Sequence, residues 1–166
     1  MRALPLLCLE KSPPERGNKE EERRTGMAEE KFDFLQEHSL RFLEMAFRTD
    51  RRERLDTCDG YGRRTGQCGD TVEMFLCMEK GVVRSVSYDT DGCLSTNACA
   101  NAVAELTEGR ALEEAWGITP EEVASYLETL PRESLHCADL AVGALYLALT
   151  EIGRKAVKVS VQRRVP

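Results

Sequence analysis

The sequence predicts an α+β fold, a small antiparallel β-sheet with helices packed on one face, and three observations carry that prediction. Two segments of alternating polarity, 71–79 and 82–89, are joined by only Lys80-Gly81. One helical block precedes them and three follow. Strands therefore come early and helices late, without the strand–helix alternation of a parallel sheet.

Taken in order, "MAEEKFDFLQEHSLRFLEMAF" has helical periodicity, with Phe32, Leu35, Leu40, Leu43 and Phe47 near one face and His38 exposed. "RTDRRERLDTCDGYGRRTG" is polar and Gly-bearing and reads as a long loop. The first strand then sets Val72, Met74, Leu76 and Met78 on one side, and the second sets Val82, Val86 and Tyr88. Lys80-Gly81 is the hairpin turn between them. Asp91-Gly92 ends the second strand, and a helix runs from Cys93 to about Thr107. In "ITPEEVASYLETL", Thr119 is the N-cap, Pro120 takes the first helical position and Glu122 completes a capping box; Pro131 stops the helix. "HCADLAVGALYLALTEIG" is the last amphipathic helix, closed by Gly153.

The domain boundaries follow. Residues 1–26 are charged, carry a Pro pair and offer little to bury, so they read as a disordered tail or a misassigned extension upstream of Met27. Residues 27–153 are the folded domain, and 154–166 a basic, solvated C-terminal tail.

Of 166 residues, 42% are hydrophobic and 31% charged, which suits one globular domain. No apolar run approaches the roughly 20 residues that span a bilayer, and the short patch in "MRALPLLCLE" is no signal peptide. The expectation is a cytoplasmic protein without a membrane partner. A net charge of −6 argues against a nucleic-acid binder. Seven Cys, an odd number without a secretion signal, point to reduced thiols or metal ligation rather than a disulfide framework.

The candidate site lies where thiols meet element ends. Cys68 and Asp70 stand two apart at the mouth of the first strand; in extended chain both face one point. Cys93 begins a helix just after Gly92, and Cys137 begins one just after His136. Backbone N–H groups at a helix start favour thiolate, the form that binds metal or carries sulfur. Each residue also has a plainer reading: a buried thiol, a turn Asp, a helix-capping His. For Cys77 and Cys99, within a strand and a helix, packing is the expectation. Cys58 is ambiguous, Cys8 carries no weight, and Asp139 is a first-turn helix acid. The spacing is not that of a zinc finger.

"CGD" before a strand, "TDGC" before a helix and "LHCADLA" opening the last helix resemble the U-type iron–sulfur cluster assembly scaffolds, the NifU N-terminal domain and IscU family, with its SufE/NifU-like fold. Cys93 follows Cys68 by 25 residues and Cys137 follows by a further 44, in the family's order, and the match covers roughly residues 38–152. The resemblance implies that Cys68, Cys93 and Cys137 hold a nascent 2Fe–2S or 4Fe–4S cluster, with Asp70 or His136 as an exchangeable fourth ligand and zinc as an alternative occupant. It implies a cysteine desulfurase that delivers persulfide sulfur to Cys137, a ferredoxin-type electron donor, and apo iron–sulfur proteins as recipients, and it leaves room for a homodimer. A scaffold must let its cargo go, and a carboxylate is a harder, weaker partner for cluster iron than a thiolate. The chain departs from the family at Leu130-Pro131-Arg132-Glu133-Ser134, which replaces the cochaperone-recognition motif Leu-Pro-Pro-Val-Lys of some members, at "CLSTNACANA", and at "FRTDRRERLDTCDGYG". Two other functions compete: a zinc-binding regulator of a cysteine desulfurase, and a thiol-dependent enzyme using Cys137 with His136 as base.

Overall fold

In a computed structural model the described residues are 34–162, with side chains described to 157. The proposed tail and the Met27 start lie outside them. Helix α1 (Leu40–Phe47) leads into strands β1 (Gly60–Thr65), β2 (Thr71–Glu79) and β3 (Val82–Thr90). Helices α2 (Leu94–Thr107), α3 (Leu112–Ala115) and α4 (Pro120–Leu127), a 3-10 turn (Arg132–Ser134) and the long α5 (Leu135–Gln162) complete the order. The sheet is antiparallel in the order β1-β2-β3, so the predicted α+β class holds.

Strand β1 is the main departure from expectation, since its residues read as loop. It pairs antiparallel with β2, Gly60 opposite Leu76 and Thr65 opposite Thr71. Gly60 and Gly62 are why it looked like a loop and why it is a strand. A Cβ on Gly62 would sit 2.1 Å from the Ala144 carbonyl oxygen, and one on Gly60 2.6 Å from that of Ala148. The glycines let α5 lie directly on the strand, a recognised use of strand Gly.

Core-facing Val72, Met74 and Leu76 of β2 are fully buried, as are Val83, Val86 and Tyr88 of β3 to within 2%. Val82, expected in that set, is 37% exposed because a register shift at Cys77/Met78 changes the phase of the hairpin. The opposite sheet face is not bare either. Glu73 is only 5% exposed, receiving the Tyr61 hydroxyl at 2.7 Å and ion-pairing with Arg54 at 2.6 Å.

The predicted first helix breaks at Ser39, whose Oγ caps α1 by accepting from the Phe42 N–H at 3.1 Å. The new phase buries Phe42, Met45 and Ala46 and leaves Leu40 and Phe47 exposed. His38 is half-buried rather than exposed, stacked on Phe42 with Nδ1 3.2 Å from the Thr129 carbonyl oxygen. Two buried asparagines of α2 close the other end of α1. Asn97 Nδ2 donates to the Ala46 carbonyl (2.8 Å) and Asn101 Nδ2 to that of Met45 (2.8 Å), satisfying carbonyls the helix leaves unpaired.

Thr119 caps α4 as expected, accepting from the Glu122 N–H at 3.2 Å. Helix α5 runs through Gly153, so the segment from 154 to 162 continues the helix instead of forming a separate tail. Lys155 reaches the Cys58 and Asp59 carbonyls at 3.3 and 3.0 Å, which ties that extension to the start of β1. By length and composition α5 could cross a membrane, but half of its apolar window is buried. Leu140, Leu145 and Leu149 lie in the core, so it is the central helix of the domain.

Candidate metal centre

Three chain segments converge beside the N-termini of α2 and α5. Asp70 comes from the β1–β2 connection, Cys93 is the N-cap residue of α2, and Cys137 lies in the first turn of α5. One ligand atom from each lies within 4.8 Å of the other two. His136 adjoins them, with Nε2 3.5 Å from Cys137 Sγ. Its Nδ1 donates to the Glu133 carbonyl oxygen at 2.7 Å, which makes Nε2 the ring nitrogen that faces Cys137. Two soft sulfurs, a carboxylate and an imidazole suit iron or zinc.

Cys68 is placed differently from expectation. The chain between β1 and β2 is a tight turn, not an extended run, with Gly66 N–H bonded to the Asp70 carbonyl at 2.8 Å and Gly69 N–H to that of Gly66 at 3.1 Å. Gly69 has φ +92°, which the turn needs and other residues rarely adopt. Asp70 thereby points to Cys93 while Cys68 is exposed on the wall of an adjacent cleft of about 590 Å³, shared with Arg64, His136 and Asp139. Cys68 is thus next to the cluster without belonging to its tight group, and its charge still opposes ionisation of Cys137. Asp139 lies on the cleft wall, where its backbone carbonyl accepts from Arg64 at 2.9 Å.

The thiols differ in chemistry. Cys93 is exposed, and although partial burial opposes it, hydrogen bonds from Thr96 and from the Thr96 and Ser95 amides hold its thiol below the usual range; Asp70 pushes the other way. Cys137 departs from the expectation of a lowered pKa. Burial, together with Cys93 and Cys68, drives its thiol up to about 11 against a lowering bond from Thr96. Cys137 is the third residue of α5, after the 3-10 turn, and is fully buried there. Cys99 is fully buried and raised by burial, as packing predicts. Among the described residues all cysteines are free thiols, in line with the reading against a disulfide framework. Alkylation at neutral pH with peptide mapping should label Cys93 and Cys68 first, Cys137 roughly tenfold or more slowly, and Cys99 only on unfolding. Labelling of Cys137 ahead of Cys93 would contradict this ordering.

Sequence reasoning missed Thr96. Its fully buried side chain contacts Asp70, Cys93 and Cys137 at once. Its position three residues after Cys93, on the inner side of the α2 start, was the available signal. Gly92 is the other such residue: a Cβ there would meet Asp70 Oδ2 at 2.7 Å and Thr96 Cγ2 at 2.6 Å.

The chain is similar to known proteins in sequence and in fold. The NifU-like N terminal domain family matches residues 54–159. The Archaeoglobus fulgidus protein named iron-sulfur cluster assembly scaffold protein IscU 1 is 30% identical over 107 residues, 64% of this chain and 70% of its own. The Aquifex aeolicus iron-sulfur cluster assembly scaffold protein IscU is 25% identical over 115 residues, 68% and 73% of the two chains. In fold, the chain resembles the crystal structure of a nitrogen-fixing NifU-like protein (N-terminal) from Brucella abortus, with TM-score 0.59 and 20% identity over 70% of this chain and 94% of that one. With the fold in agreement and the family matched over most of its length, the chain belongs to the NifU-like N-terminal domain family.

Proposed function

We propose that the protein is a scaffold on which an iron–sulfur cluster is assembled from iron and desulfurase-derived sulfur and then passed to apo-proteins. The convergence of Asp70, Cys93 and Cys137 within 4.8 Å carries this reading, and the scaffold names of its relatives support it. The cluster is cargo, bound and released, so the protein is not a turnover enzyme. Cys68, Cys93 and Cys137 supply the thiolates, with Asp70 or His136 as the exchangeable ligand. Zinc is a competing occupant of the same donors.

Sulfur arrives as a desulfurase persulfide. A scaffold thiolate attacks its outer sulfur, the S–S bond breaks, and the electron pair leaves on the desulfurase thiol. Two electrons from a ferredoxin-type donor then reduce the transferred sulfane sulfur to sulfide. Cys137 is the proposed acceptor; because its side chain is buried and its thiol held at about 11, it must be uncovered or deprotonated by docking or metal entry. Leu94 and Leu135, 44% and 46% exposed beside Cys93 and His136, offer an apolar rim for that docking. Reduced, accessible thiols fit a cytoplasmic setting.

The test is anaerobic incubation with iron, cysteine and a cysteine desulfurase, followed by visible absorption and transfer to apo-ferredoxin. A cluster that forms and transfers is expected; no cluster, or one that never transfers, refutes the scaffold reading. Asp70→Ala should keep the cluster longer and slow its transfer severalfold, and wild-type transfer by that variant would remove Asp70 from the release step.

A further inference from the structure

The buried hydroxyl of Thr96 lies in the middle of the donor cluster. Its Oγ1 is 2.7 Å from Asp70 Oδ2, 3.3 Å from Cys137 Sγ and 3.5 Å from Cys93 Sγ. Among the described residues, these site groups are the contacts the hydroxyl makes, whereas a Thr in the first turn of a helix ordinarily bonds nearby backbone. The hydroxyl has one proton, so it serves one acceptor at a time. A 2.7 Å O–H···O⁻ contact to a carboxylate is far better than a 3.3 Å contact to sulfur, which puts the proton on Asp70 while Cys93 and Cys137 are protonated; a thiolate at either sulfur competes for it. The Cys93 N–H donates to the same Oδ2 at 3.3 Å. Gly92 leaves room for the pair, since a Cβ there would fall 2.6 Å from Thr96 Cγ2 and 2.7 Å from Asp70 Oδ2.

We propose that Thr96 is a positioning residue that keeps Asp70 a weak, exchangeable ligand by donating its single hydroxyl proton to the Asp70 carboxylate in competition with bound metal. Two effects follow from the same hydrogen bond. It draws electron density from the carboxylate, which lowers its strength as a metal donor. It also gives the carboxylate a preformed partner to fall back on, so leaving the metal does not strand a half-buried charge. Without the hydroxyl, the metal is the best partner left. The inference rests on Asp70 acting as a ligand, but its test needs no cluster.

The test measures Zn²⁺ affinity by competition with a chromophoric chelator in wild type, Thr96→Val, Thr96→Ser, Asp70→Ala and the Thr96→Val/Asp70→Ala double variant. Val keeps the buried volume and removes the proton, while Ser keeps the proton. Thr96→Val should tighten Zn²⁺ binding on the order of tenfold, the scale on which outer-shell groups shift metal affinity. Thr96→Ser should match wild type, and the valine effect should vanish in the Asp70→Ala background. Co²⁺ in place of Zn²⁺ should give altered ligand-field bands for Thr96→Val but not for Thr96→Ser. Unchanged or weaker binding by Thr96→Val, or equal tightening without Asp70, overturns the proposal. Thermal unfolding of the metal-free proteins checks the fold, and Thr96→Ala carries the same test if the valine variant does not fold. If the zinc pattern holds but no cluster transfers, the scaffold reading alone fails. If clusters transfer but the zinc pattern is absent, only the role of Thr96 fails.

Discussion

Cys137→Ser is expected to lower Zn²⁺ affinity by about 100-fold or more, because outer-shell partners alone are worth 10–100-fold and this change removes a ligand. A hydroxyl is a hard, weakly acidic substitute for a soft thiolate. The position is also the buried centre of the site, in contact with Thr96 and His136 and grouped with Asp70 and Cys93. The pH dependence gives a second, independent readout. A Cys137 thiol at about 11 is protonated in the metal-free protein throughout the neutral range, and binding must expel that proton. Affinity therefore rises with pH, by about tenfold per unit for each proton released, and falls as pH drops. Cys137→Ser should remove about one proton from that slope between roughly pH 6 and 8. Cys99→Ala is the control, since Cys99 is as fully buried but lies outside the group of ligand atoms. Its Zn²⁺ affinity should stay within about twofold of wild type. Equal losses in the two variants would mean that the Cys137 effect is one of folding, not ligation.

Gly62→Val is expected to be the most damaging single change outside the metal centre. Its first added atom would fall 2.1 Å from the Ala144 carbonyl oxygen and 2.5 Å from the Ala148 nitrogen. Both are backbone atoms of α5 and cannot swing aside as a side chain would. Strand β1 must then separate from α5 or lose register with β2, and either move exposes core. Overpacking typically costs 1–3 kcal/mol and occasionally more, and a clash with rigid helix backbone belongs at the top of that range, about 3 kcal/mol. Thermal unfolding should fall by roughly 10 °C for a chain of this size. Gly153→Ala supplies the opposite sign: it lies within α5 with nothing within 4 Å of an added Cβ. Ala in an open helix position should raise stability by up to about 1 kcal/mol. A Gly62→Val protein as stable as wild type would show that β1 and α5 do not pack as described.

The α+β order, the β2–β3 hairpin and the Thr119 cap were legible because each rests on local rules: period-2 alternation, a two-residue turn, a capping hydroxyl. The ligand types were legible for a similar reason, since thiols beside Gly, Asp and His at element ends have few purely packing explanations. Strand β1 was hidden because its inward positions are Gly60 and Gly62, and an apolar pattern cannot register a face that is filled by another helix's backbone. The break at Ser39 was overlooked because a continuous apolar period spans it, while the actual phase is set by Phe42 packing against His38 and by Asn97 and Asn101 closing the helix.

By itself, then, the sequence determined which atoms are available for chemistry, Cys68, Asp70, Cys93, His136 and Cys137, and the order in which the chain presents them. Tertiary structure decided their distances and their acidities. It turned Cys68 aside into the cleft, buried Cys137 and raised its thiol while Cys93 stayed exposed and lowered, and put the Thr96 hydroxyl between them. Those properties depend on desolvation and on hydrogen bonds between segments far apart in the chain, and only packing in space brings such segments within reach of one another.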